Sequence, residues 1–344
     1  MTTVAKATDL DGRVLLDHGT GAALSQELVR LIADTLGEAY VGEMEDSATL
    51  TVPGNRIAMT TDSFVVDPPF FGNGDIGKIA VCGTVNDLAV SGATPMYLTL
   101  GLILETGLPI KWLVRALESI RDTAIEAGVL IVGGDTKVVR AGEADGLYVN
   151  TAGIGAFRRD PLRMDAVQPG DSVILSGHIG NHTVHLLSIR EGLGFEQRVL
   201  SDCAPLNGLI DDVFAKAPAG SVRSMRDVTR GGLSAVLHEY ATRLCRVVTV
   251  DLPALPIQTE TAMAADMLGI NPLHCANEGC LALFVSPAAE ADVLTALRNH
   301  PYGVNAAVIG TVTDRPGTDV LLRDGDGRES VLEELVGAEL PRLC

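Results

Sequence analysis

The sequence has few cysteines and no closely spaced pair of them. Its 344 residues include six cysteines, none in a Cys-x-x-Cys arrangement, which is far below the density of a disulfide-stabilised scaffold. Cys275 and Cys280 are separated by four residues, and no further ligand stands at a spacing that would complete a metal site. We therefore expect the cysteines to be reduced.

Positive charge is also scarce. The formal net charge is -18 at pH 7, and no block of lysine and arginine interrupts the acidic excess. Such a surface would repel a phosphate backbone, so DNA and RNA are not expected as partners. A nucleotide remains compatible with the sequence, because carboxylates that hold Mg²⁺ convert local negative potential into a triphosphate site.

The chain lacks an apolar run long enough for a membrane helix. The uncharged stretch at residues 88–104 is shorter than the roughly 20 residues of a span, and it contains Ser91, Gly92, Pro95 and Gly101. It predicts a buried helix end, a turn and a strand. The first residues show no basic region followed by an apolar core. We therefore expect a cytoplasmic protein without a membrane-spanning segment.

The apolar patterns indicate two domains of mixed α/β or α+β class. Residues 56–66 alternate apolar and polar side chains as a strand does, and apolar positions at helical spacing run from Trp112 to a stop at Gly128. Near residues 155–170 a polar, proline-bearing connector precedes a new apolar strand, and the length suffices for two cores. We predict domains at residues 1–158 and 159–336, followed by a mobile tail at residues 337–344.

Four aspartates share one sequence context, a strand edge or turn beside small or hydroxylated residues. Carboxylate oxygens of this kind suit Mg²⁺, and glycines such as Gly133 and Gly134 let the backbone approach a phosphate closely. The alternative is that these aspartates only cap helices or form turns. The four are Asp46, Asp62, Asp87 and Asp135.

Two glycine-rich segments precede expected helices. Residues 17–29 can present amide groups to a phosphate, but they do not match the P-loop pattern, and a flexible N-terminal turn is the alternative. Residues 226–232, RDVTRGG, place an acid, a hydroxyl, an arginine and two glycines before a helix. Asp227 can serve a phosphate site there or belong to an ordinary capped helix start.

Three histidines are spaced as metal ligands on one helix face would be. His178, His182 and His185 stand four and three residues apart, but glycines at 177 and 180 interrupt the first turn. No nearby cysteine or acid completes a ligand set. We therefore favour loop and helix-capping roles for these histidines.

A further acidic residue, Glu278, lies between Asn277 and Gly279. This arrangement is typical of a tight turn that presents a carboxylate, and a plain surface turn is the alternative.

Seven motifs follow one another in a fixed order over almost the whole chain. They are HGTGA, DSFVV, GDIGKIAVCGTVNDLAVSGATP, GGDTKVV, DVTRGG, ANEG and the last four residues, PRLC. The ordered set resembles the HypE family of hydrogenase maturation proteins. That family lies within a larger group of ATP-using enzymes that includes aminoimidazole ribonucleotide synthetase and selenophosphate synthetase, and the terminal cysteine separates it from those relatives.

The resemblance implies a two-domain aminoimidazole ribonucleotide synthetase-like fold, in which the N-terminal sheets of two subunits form a barrel across a homodimer interface. It also implies a reaction that uses ATP and Mg²⁺ to convert an S-carbamoyl group on Cys344 into a thiocyanate. That product is the precursor of the cyanide ligands of nickel-iron hydrogenase. The expected partners are the carbamoyltransferase HypF and the HypC–HypD iron scaffold complex.

The resemblance also implies roles for individual residues. The metal ligands would be the four aspartates together with Asp227. Lys137 and Glu278 would lie close to the modified Cys344. We expect Glu278 to take a proton from the carbamoyl nitrogen while Lys137 polarises the oxygen or steadies the phosphoryl group, unless a lowered pKa makes Lys137 the base. The nucleotide-binding residues would be His18, Gly19, Gly21, Asn86, Gly134, Thr229 and Arg230.

Two other functions are compatible with the residues. One is a related ATP-dependent synthetase or kinase that acts on a free small molecule, and its activity would survive loss of Cys344. The other is a non-catalytic nucleotide-binding scaffold for complex assembly, which would bind partners without turning over ATP.

Overall fold

The computed structural model of the chain describes residues 11–20, 23–42 and 47–334. Within these residues it contains eight α-helices and eleven strands, arranged in two sheets. The sequence predictions for Gly21, Asp46 and Cys344, and for the tail at residues 337–344, lie outside the described residues.

The first sheet has four strands in the order β1-β4-β2-β3, with β2 and β3 parallel and the other pairs antiparallel. Three helices accompany it. The elements are α1 (Ala23–Leu36), β1 (Ile57–Phe64), α2 (Ile76–Val90), β2 (Ala93–Glu105), α3 (Ile110–Ala127), β3 (Leu130–Val139) and β4 (Leu147–Phe157).

The second sheet has seven strands in the order β11-β10-β7-β9-β5-β8-β6. Only β10 and β7 pair in parallel. The elements are β5 (Ser172–Leu175), α4 (Asn181–Glu191), α5 (Asn207–Lys216), β6 (Val222–Asp227), α6 (Gly232–Leu244), β7 (Arg246–Asp251), α7 (Thr259–Leu268), β8 (Leu281–Val285), α8 (Glu290–Asn299), β9 (Ala307–Pro316), β10 (Val320–Arg323) and β11 (Glu329–Val331).

Helix α3 shows how local sequence produces these elements. Its buried side chains recur at helical spacing, so one face packs on the core while the charged face meets solvent. It ends at Gly128, whose φ of 68° is the left-handed conformation that glycine adopts without a Cβ penalty. The predicted helix and its stop are confirmed.

Helix α2 is buried almost all round and lies between the two domains. Its start is capped by Asp75, whose side chain accepts a hydrogen bond of 3.0 Å from the Lys78 amide. A Cβ at Gly77 would lie 2.2 Å from the Ala116 oxygen, so α2 and α3 cross at a distance that only glycine permits. The uncharged stretch at residues 88–104 is the end of α2, a turn and strand β2, as the sequence predicts.

Apolar contacts join the two domains. The core of the first sheet includes Leu186, Cys203 and Ala276 from the second half of the chain. Conversely, Ala89 and Val90 at the end of α2 pack into the core between the second sheet, α5 and α8. In the part of the chain that the structure describes, no helix has the length and apolar character needed to cross a membrane.

Candidate active site

A cleft at the boundary between the domains collects acidic side chains from both of them. Asp62 comes from β1, Asp87 from α2, and Asp227 from the last position of β6. Glu278 precedes β8. The cleft has a volume of about 200 Å³ and also contains Thr229 and Arg230. We call it the carboxylate cleft.

The aspartates of the carboxylate cleft act on one another electrostatically. Burial raises the pKa of Asp62, and the charge of Asp87 raises it further, while Arg230 opposes the shift. Burial raises the pKa of Asp227 to about 6, and both Asp87 and Asp62 on the other domain contribute to the increase. Crowded carboxylates with raised pKa values favour a cation or a proton between them. A positive ion bound between these carboxylates would therefore stabilise the site by reducing their mutual repulsion.

The turn between β6 and α6 brings Thr229 and Arg230 to the cleft. The Gly232 amide donates a hydrogen bond of 2.9 Å to the Thr229 oxygen, and Gly231 and Gly232 have φ values of 78° and 63°. A Cβ at Gly232 would lie 2.6 Å from the Leu273 oxygen. The two glycines are thus required by a tight helix entry, which places the arginine beside Asp62.

Glu278 is buried, with 3% of its surface exposed, so the surface-turn alternative is wrong. Its backbone amide and that of Gly279 donate hydrogen bonds of 3.0 Å to the two carboxylate oxygens of Asp202. Asn277 fixes the turn from the other side, because its side chain accepts from the Gly180 amide and donates to the oxygens of Val228 and Cys275. Asp202 stands in no recognisable motif, so no sequence signal pointed to it.

Lys137 and Asp135 lie on β3 and form an ion pair of 3.1 Å in which both side chains are 69% exposed. Asp135 is in register with Gly101, Gly101 with Asn150, and Asn150 with Ser63. Three strand spacings separate Asp135 from β1, a distance of about 14 Å. Within one chain, Asp135 therefore lies apart from the carboxylate cleft, and its role as a metal ligand stays a prediction.

A second cavity, of about 330 Å³, lies between α1 and β3. Apolar side chains of α1, β2 and β3 form part of its wall, and His18, Gly19, Gly134 and Lys137 line it as well. We call it the apolar cavity. Burial lowers the pKa of His18, and its Nδ1 accepts a hydrogen bond of 3.0 Å from the Leu15 amide. The proton of the neutral ring is therefore on Nε2, which is buried and has no partner among the described residues.

A depression of about 600 Å³ on the open face of the first sheet shares lining residues with both cavities. At one end it is lined by Asp135 and Lys137, which also line the apolar cavity. At the other end it is lined by Ser63 and Phe64, which also line the carboxylate cleft. Apart from Asn86, each predicted site residue that the structure describes lines at least one of these three cavities.

Asn86 is 3% exposed, and its side chain forms hydrogen bonds with the second domain. Its amide nitrogen donates to the Ala204 oxygen at 3.1 Å, and its amide oxygen accepts from the Leu206 amide at 2.7 Å. These contacts give Asn86 an interdomain role. Its predicted role in nucleotide binding stays a prediction.

The expected loop and capping roles of the histidines are wrong for two of the three. His182 and His185 lie inside α4 and are buried. The His182 ring lies 2.8 Å from the Ser201 hydroxyl, and the two ring nitrogens of His185 lie 2.7 Å and 2.5 Å from the oxygens of Val199 and Phe71. Their spacing reflects packing of α4 against the loop at residues 199–201.

In the described ranges, no group of three or more histidine, cysteine, aspartate or glutamate side chains is arranged to hold a metal ion by itself. The carboxylate cleft nevertheless offers only oxygen donors whose mutual repulsion a cation would relieve. A hard ion that keeps waters and takes further oxygens from a phosphate fits such a donor set. The residues are thus compatible with Mg²⁺ bound together with a nucleotide.

The fold and the cleft between its domains define an AIR synthase-related protein. The N-terminal domain model of that family matches residues 44–157, and the C-terminal domain model matches residues 168–323. The chain is also 42% identical to the carbamoyl dehydratase HypE of Rhizobium leguminosarum bv. viciae over 336 residues, which cover 97% of this chain and 96% of the relative.

Two crystal structures narrow the assignment. One is the hydrogenase maturation protein HypE in complex with ATP, with a TM-score of 0.91 and 39% identity over 96% of this chain and 99% of that chain. The other is a HypE–HypF complex, with a TM-score of 0.78 and 39% identity over 91% of this chain and 100% of that chain. The chain belongs to the HypE family of carbamoyl dehydratases.

Proposed function

We propose that the chain is an ATP-dependent carbamoyl dehydratase of nickel-iron hydrogenase maturation. It converts an S-carbamoyl group on Cys344 into a thiocyanate and releases ADP and phosphate. The observation that carries the proposal is the carboxylate cleft, where Asp62, Asp87 and Asp227 from two domains meet a buried Glu278. Identity of about 40% to carbamoyl dehydratases over nearly the full length supports the reaction.

ATP would extend from the apolar cavity to the carboxylate cleft. The apolar cavity is large enough for a purine, and His18 lines it. Gly19 and Gly134 line the same cavity. The phosphates would lie toward the carboxylate cleft, where Arg230 and Thr229 supply a positive charge and a hydroxyl. The HypE relative crystallised with ATP supports nucleotide binding.

Mg²⁺ would be held by Asp62, Asp87 and Asp227 together with phosphate oxygens. When bound, the ion neutralises the phosphates and the crowded carboxylates. The Thr60 hydroxyl donates a hydrogen bond of 2.8 Å to Asp87, which fixes that carboxylate at the cleft. The predicted ligands Asp46 and Asp135 remain part of the proposal on sequence grounds alone.

The reaction removes the carbamoyl oxygen in two steps. The oxygen first attacks the γ-phosphorus of ATP, ADP leaves, and one proton leaves the nitrogen. Phosphate then departs with the electrons of the C–O bond, and loss of the second nitrogen proton completes the C≡N bond. Glu278 would accept a proton from the nitrogen in its buried position, and Lys137 would polarise the oxygen or steady the phosphoryl group.

The proposed partners follow from the reaction. HypF would supply the carbamoyl group, as the HypE–HypF complex of a relative supports, and the HypC–HypD complex would receive the cyano group. We also propose a cytoplasmic homodimer formed through the open face of the first sheet. That face exposes Ile57, Met59 and Ile103 to 51%, 70% and 40%, which is unusual for a surface that stays in water.

Intact-protein mass spectrometry tests the function directly. The chain is incubated with HypF, carbamoyl phosphate and ATP, and we expect carbamoylation followed by the loss of one water. Cys344→Ala should abolish both mass changes while ATP binding persists. A kinase or synthetase acting on a free small molecule would instead keep its activity in Cys344→Ala. A scaffold would acquire the carbamoyl group but would neither lose water nor turn over ATP after carbamoylation.

A further inference from the structure

A short segment of the second domain, residues 201–206, connects the first domain to Glu278. It lies between α4 and α5 and packs against α2. We call it the bridge segment. It contributes Cys203 to the core of the first sheet and Ala204 and Leu206 to the core beneath α5.

Two asparagines of the first domain bind the backbone of the bridge segment. The Asn73 side chain donates to the Ser201 oxygen at 2.7 Å and accepts from the Ser201 amide at 3.1 Å. Asn86 makes the corresponding pair of bonds with Ala204 and Leu206. Each carboxamide thus satisfies a backbone donor and acceptor as a neighbouring strand would, and together they hold both ends of the segment.

One face of α2 lies against the bridge segment. Lys78, Cys82 and Asn86 are four residues apart and therefore share that face. Burial raises the pKa of the Cys203 thiol, and the nearby Cys82 thiol raises it further, while the charge of Lys78 acts on Asp202 to lower its pKa. The middle of the segment is thus fixed relative to α2, the helix that also carries Asp87.

Asp202 extends this arrangement to the catalytic turn. Its two carboxylate oxygens accept the amides of Glu278 and Gly279, both at 3.0 Å. A Cβ at Gly279 would lie 1.9 Å from the Asp202 backbone oxygen, so the two segments are in direct contact. Burial raises the pKa of Asp202 to about 6, and the two amide bonds and Lys78 counteract the shift. The carboxylate is therefore mostly ionised at neutral pH and accepts both amides.

We propose that Asp202 is a positioning residue for Glu278. The Asp202 carboxylate holds the turn of Glu278 on the bridge segment and so aligns the Glu278 carboxylate with the aspartates of the first domain. The proposal rests on the proposed function, because it assigns Glu278 to the dehydration. Asp202 does not line the carboxylate cleft. It acts through Glu278, and a displacement of about 1 Å of a catalytic group can lower a rate by about 10²-fold.

Asp202→Asn tests the proposal with little change in volume. The substitution replaces one acceptor oxygen with an amide group that faces a backbone N–H, so the turn must move. Four proteins are compared: the wild type, Asp202→Asn, Glu278→Gln and the double variant. The rate of thiocyanate formation and the KM for ATP are measured for each, with carbamoylated protein as the starting material.

We expect Asp202→Asn to lower kcat at least tenfold in the wild-type background and at most twofold in the Glu278→Gln background, with the KM for ATP unchanged. Equal losses in the two backgrounds, or no loss in the wild type, would overturn the proposal. A wild-type rate in Glu278→Gln alone would instead refute the assignment of Glu278 in the proposed function.

Asp171→Asn is the matched control. Asp171 is also a buried aspartate of the second domain, and it accepts a hydrogen bond of 2.8 Å from the Gln168 amide. It does not contact the Glu278 turn, so its substitution should leave kcat per folded molecule unchanged. If it lowered kcat as much as Asp202→Asn does, the effect would be a general response to loss of a buried carboxylate, and the proposal would fail.

Amide hydrogen exchange provides a readout that does not need enzymatic activity. The amides of Glu278 and Gly279 should exchange slowly in the wild type and at least tenfold faster in Asp202→Asn, while the strand amides of β8 keep their protection. Asp202→Ser, which retains one acceptor, should give an intermediate rate and serves as the second variant if Asp202→Asn does not fold. Unchanged exchange at both amides would overturn the proposal even if the dehydration itself were never observed.

Discussion

Lys137 is exposed whereas Glu278 is buried, and this difference determines how the role of each can be tested. Glu278 is buried and its backbone is part of the interdomain structure, so a substitution there affects both packing and chemistry. Lys137 is 69% exposed and its visible partner is the equally exposed Asp135. An exposed ion pair contributes at most about 1 kcal/mol to stability. Lys137 therefore offers the cleaner separation of chemistry from folding.

Lys137→Met should lower the rate of thiocyanate formation by about 10²-fold, the usual cost of removing one positive group from a developing charge. Its midpoint of thermal unfolding should match that of the wild type. Lys111→Met is the control, because Lys111 is an exposed lysine at the start of α3. Equal rates in the two variants would exclude Lys137 from the reaction.

The raised pKa of Asp202 predicts a pH dependence of stability. A carboxyl group whose pKa is higher in the folded protein than its ordinary value of 3.8 stabilises the fold at low pH. That contribution is fully present below about pH 3.8 and is lost as the pH rises through about 6. Asp202→Asn has no such titration. The stability of the wild type minus that of Asp202→Asn should therefore decrease between pH 4 and pH 7.

Urea unfolding of both proteins at several pH values measures this difference. Groups that titrate equally in the two proteins cancel in the subtraction. A difference that stays constant from pH 4 to pH 7 would show that the Asp202 carboxyl has an ordinary pKa in the folded protein.

At the scale of residues, sequence patterns predicted side chains that belong to recognisable motifs. Asp62, Asp87, Asp227 and Glu278 meet in one cleft, although their metal-binding and catalytic roles stay predictions. Asp202 could not be found, because a positioning residue leaves no periodic or motif signal. The burial of Glu278 also could not be predicted from the sequence, since Asn-Glu-Gly forms exposed turns as readily as buried ones.

Among the secondary-structure elements, strand β3 contains two adjacent glycines, Gly133 and Gly134, that differ in how closely the neighbouring strand approaches them. A Cβ at Gly134 would lie 2.1 Å from the Leu100 oxygen of the neighbouring β2, whereas a Cβ at Gly133 would meet no atom within 4 Å. Neither has a positive φ. The pairing of β2 and β3 therefore requires glycine at one position and tolerates a side chain at the next.

Gly134→Ala should destabilise the fold by about 2 kcal/mol or more, because backbone atoms of β2 must move. Gly133→Ala should leave stability unchanged or slightly higher, since it reduces the freedom of the unfolded chain. Chemical unfolding of the two variants measures the contrast. Equal destabilisation would mean that the close approach of β2 to Gly134 is not a feature of the folded protein.

The elements differ in how far sequence could predict them. The spacing of apolar residues predicted α3 because one face is polar and the other buried. Helix α2 is buried on nearly every side, so its composition carries no helical period that could mark its beginning. Only the end of α2 was visible, where glycine and proline follow it.

At the scale of the whole molecule, the domains are joined by polar contacts as well as by their cores. The hydrogen bonds of Asn86 and Asn73 to the bridge segment join residues that are 118 and 128 positions apart in sequence. No local pattern can predict such pairs. The existence of two domains could be read from the connector and the renewed strand pattern, but their mutual orientation could not.

Asn86→Ala should lower stability by about 2 kcal/mol, because it leaves a buried carbonyl and a buried amide of the bridge segment without partners. We expect kcat to fall as Asp202 shifts, with an unchanged KM for ATP. Asn207→Ala is the control, since Asn207 also crosses the domain boundary but makes a single bond, to the Ala127 oxygen. It should keep the wild-type kcat. A raised KM for ATP in Asn86→Ala would favour the predicted contact with nucleotide.

The attachment of residues 201–206 to α2 limits how the enzyme can admit its substrates. A hinge motion that separated the domains would have to break the bonds of Asn73 and Asn86 and expose the shared core. We therefore expect substrates to enter the carboxylate cleft without such a rotation. In the proposed function, ATP and the carbamoylated cysteine would then enter the cleft without separation of the domains, and the exposed Arg230 lines that cleft.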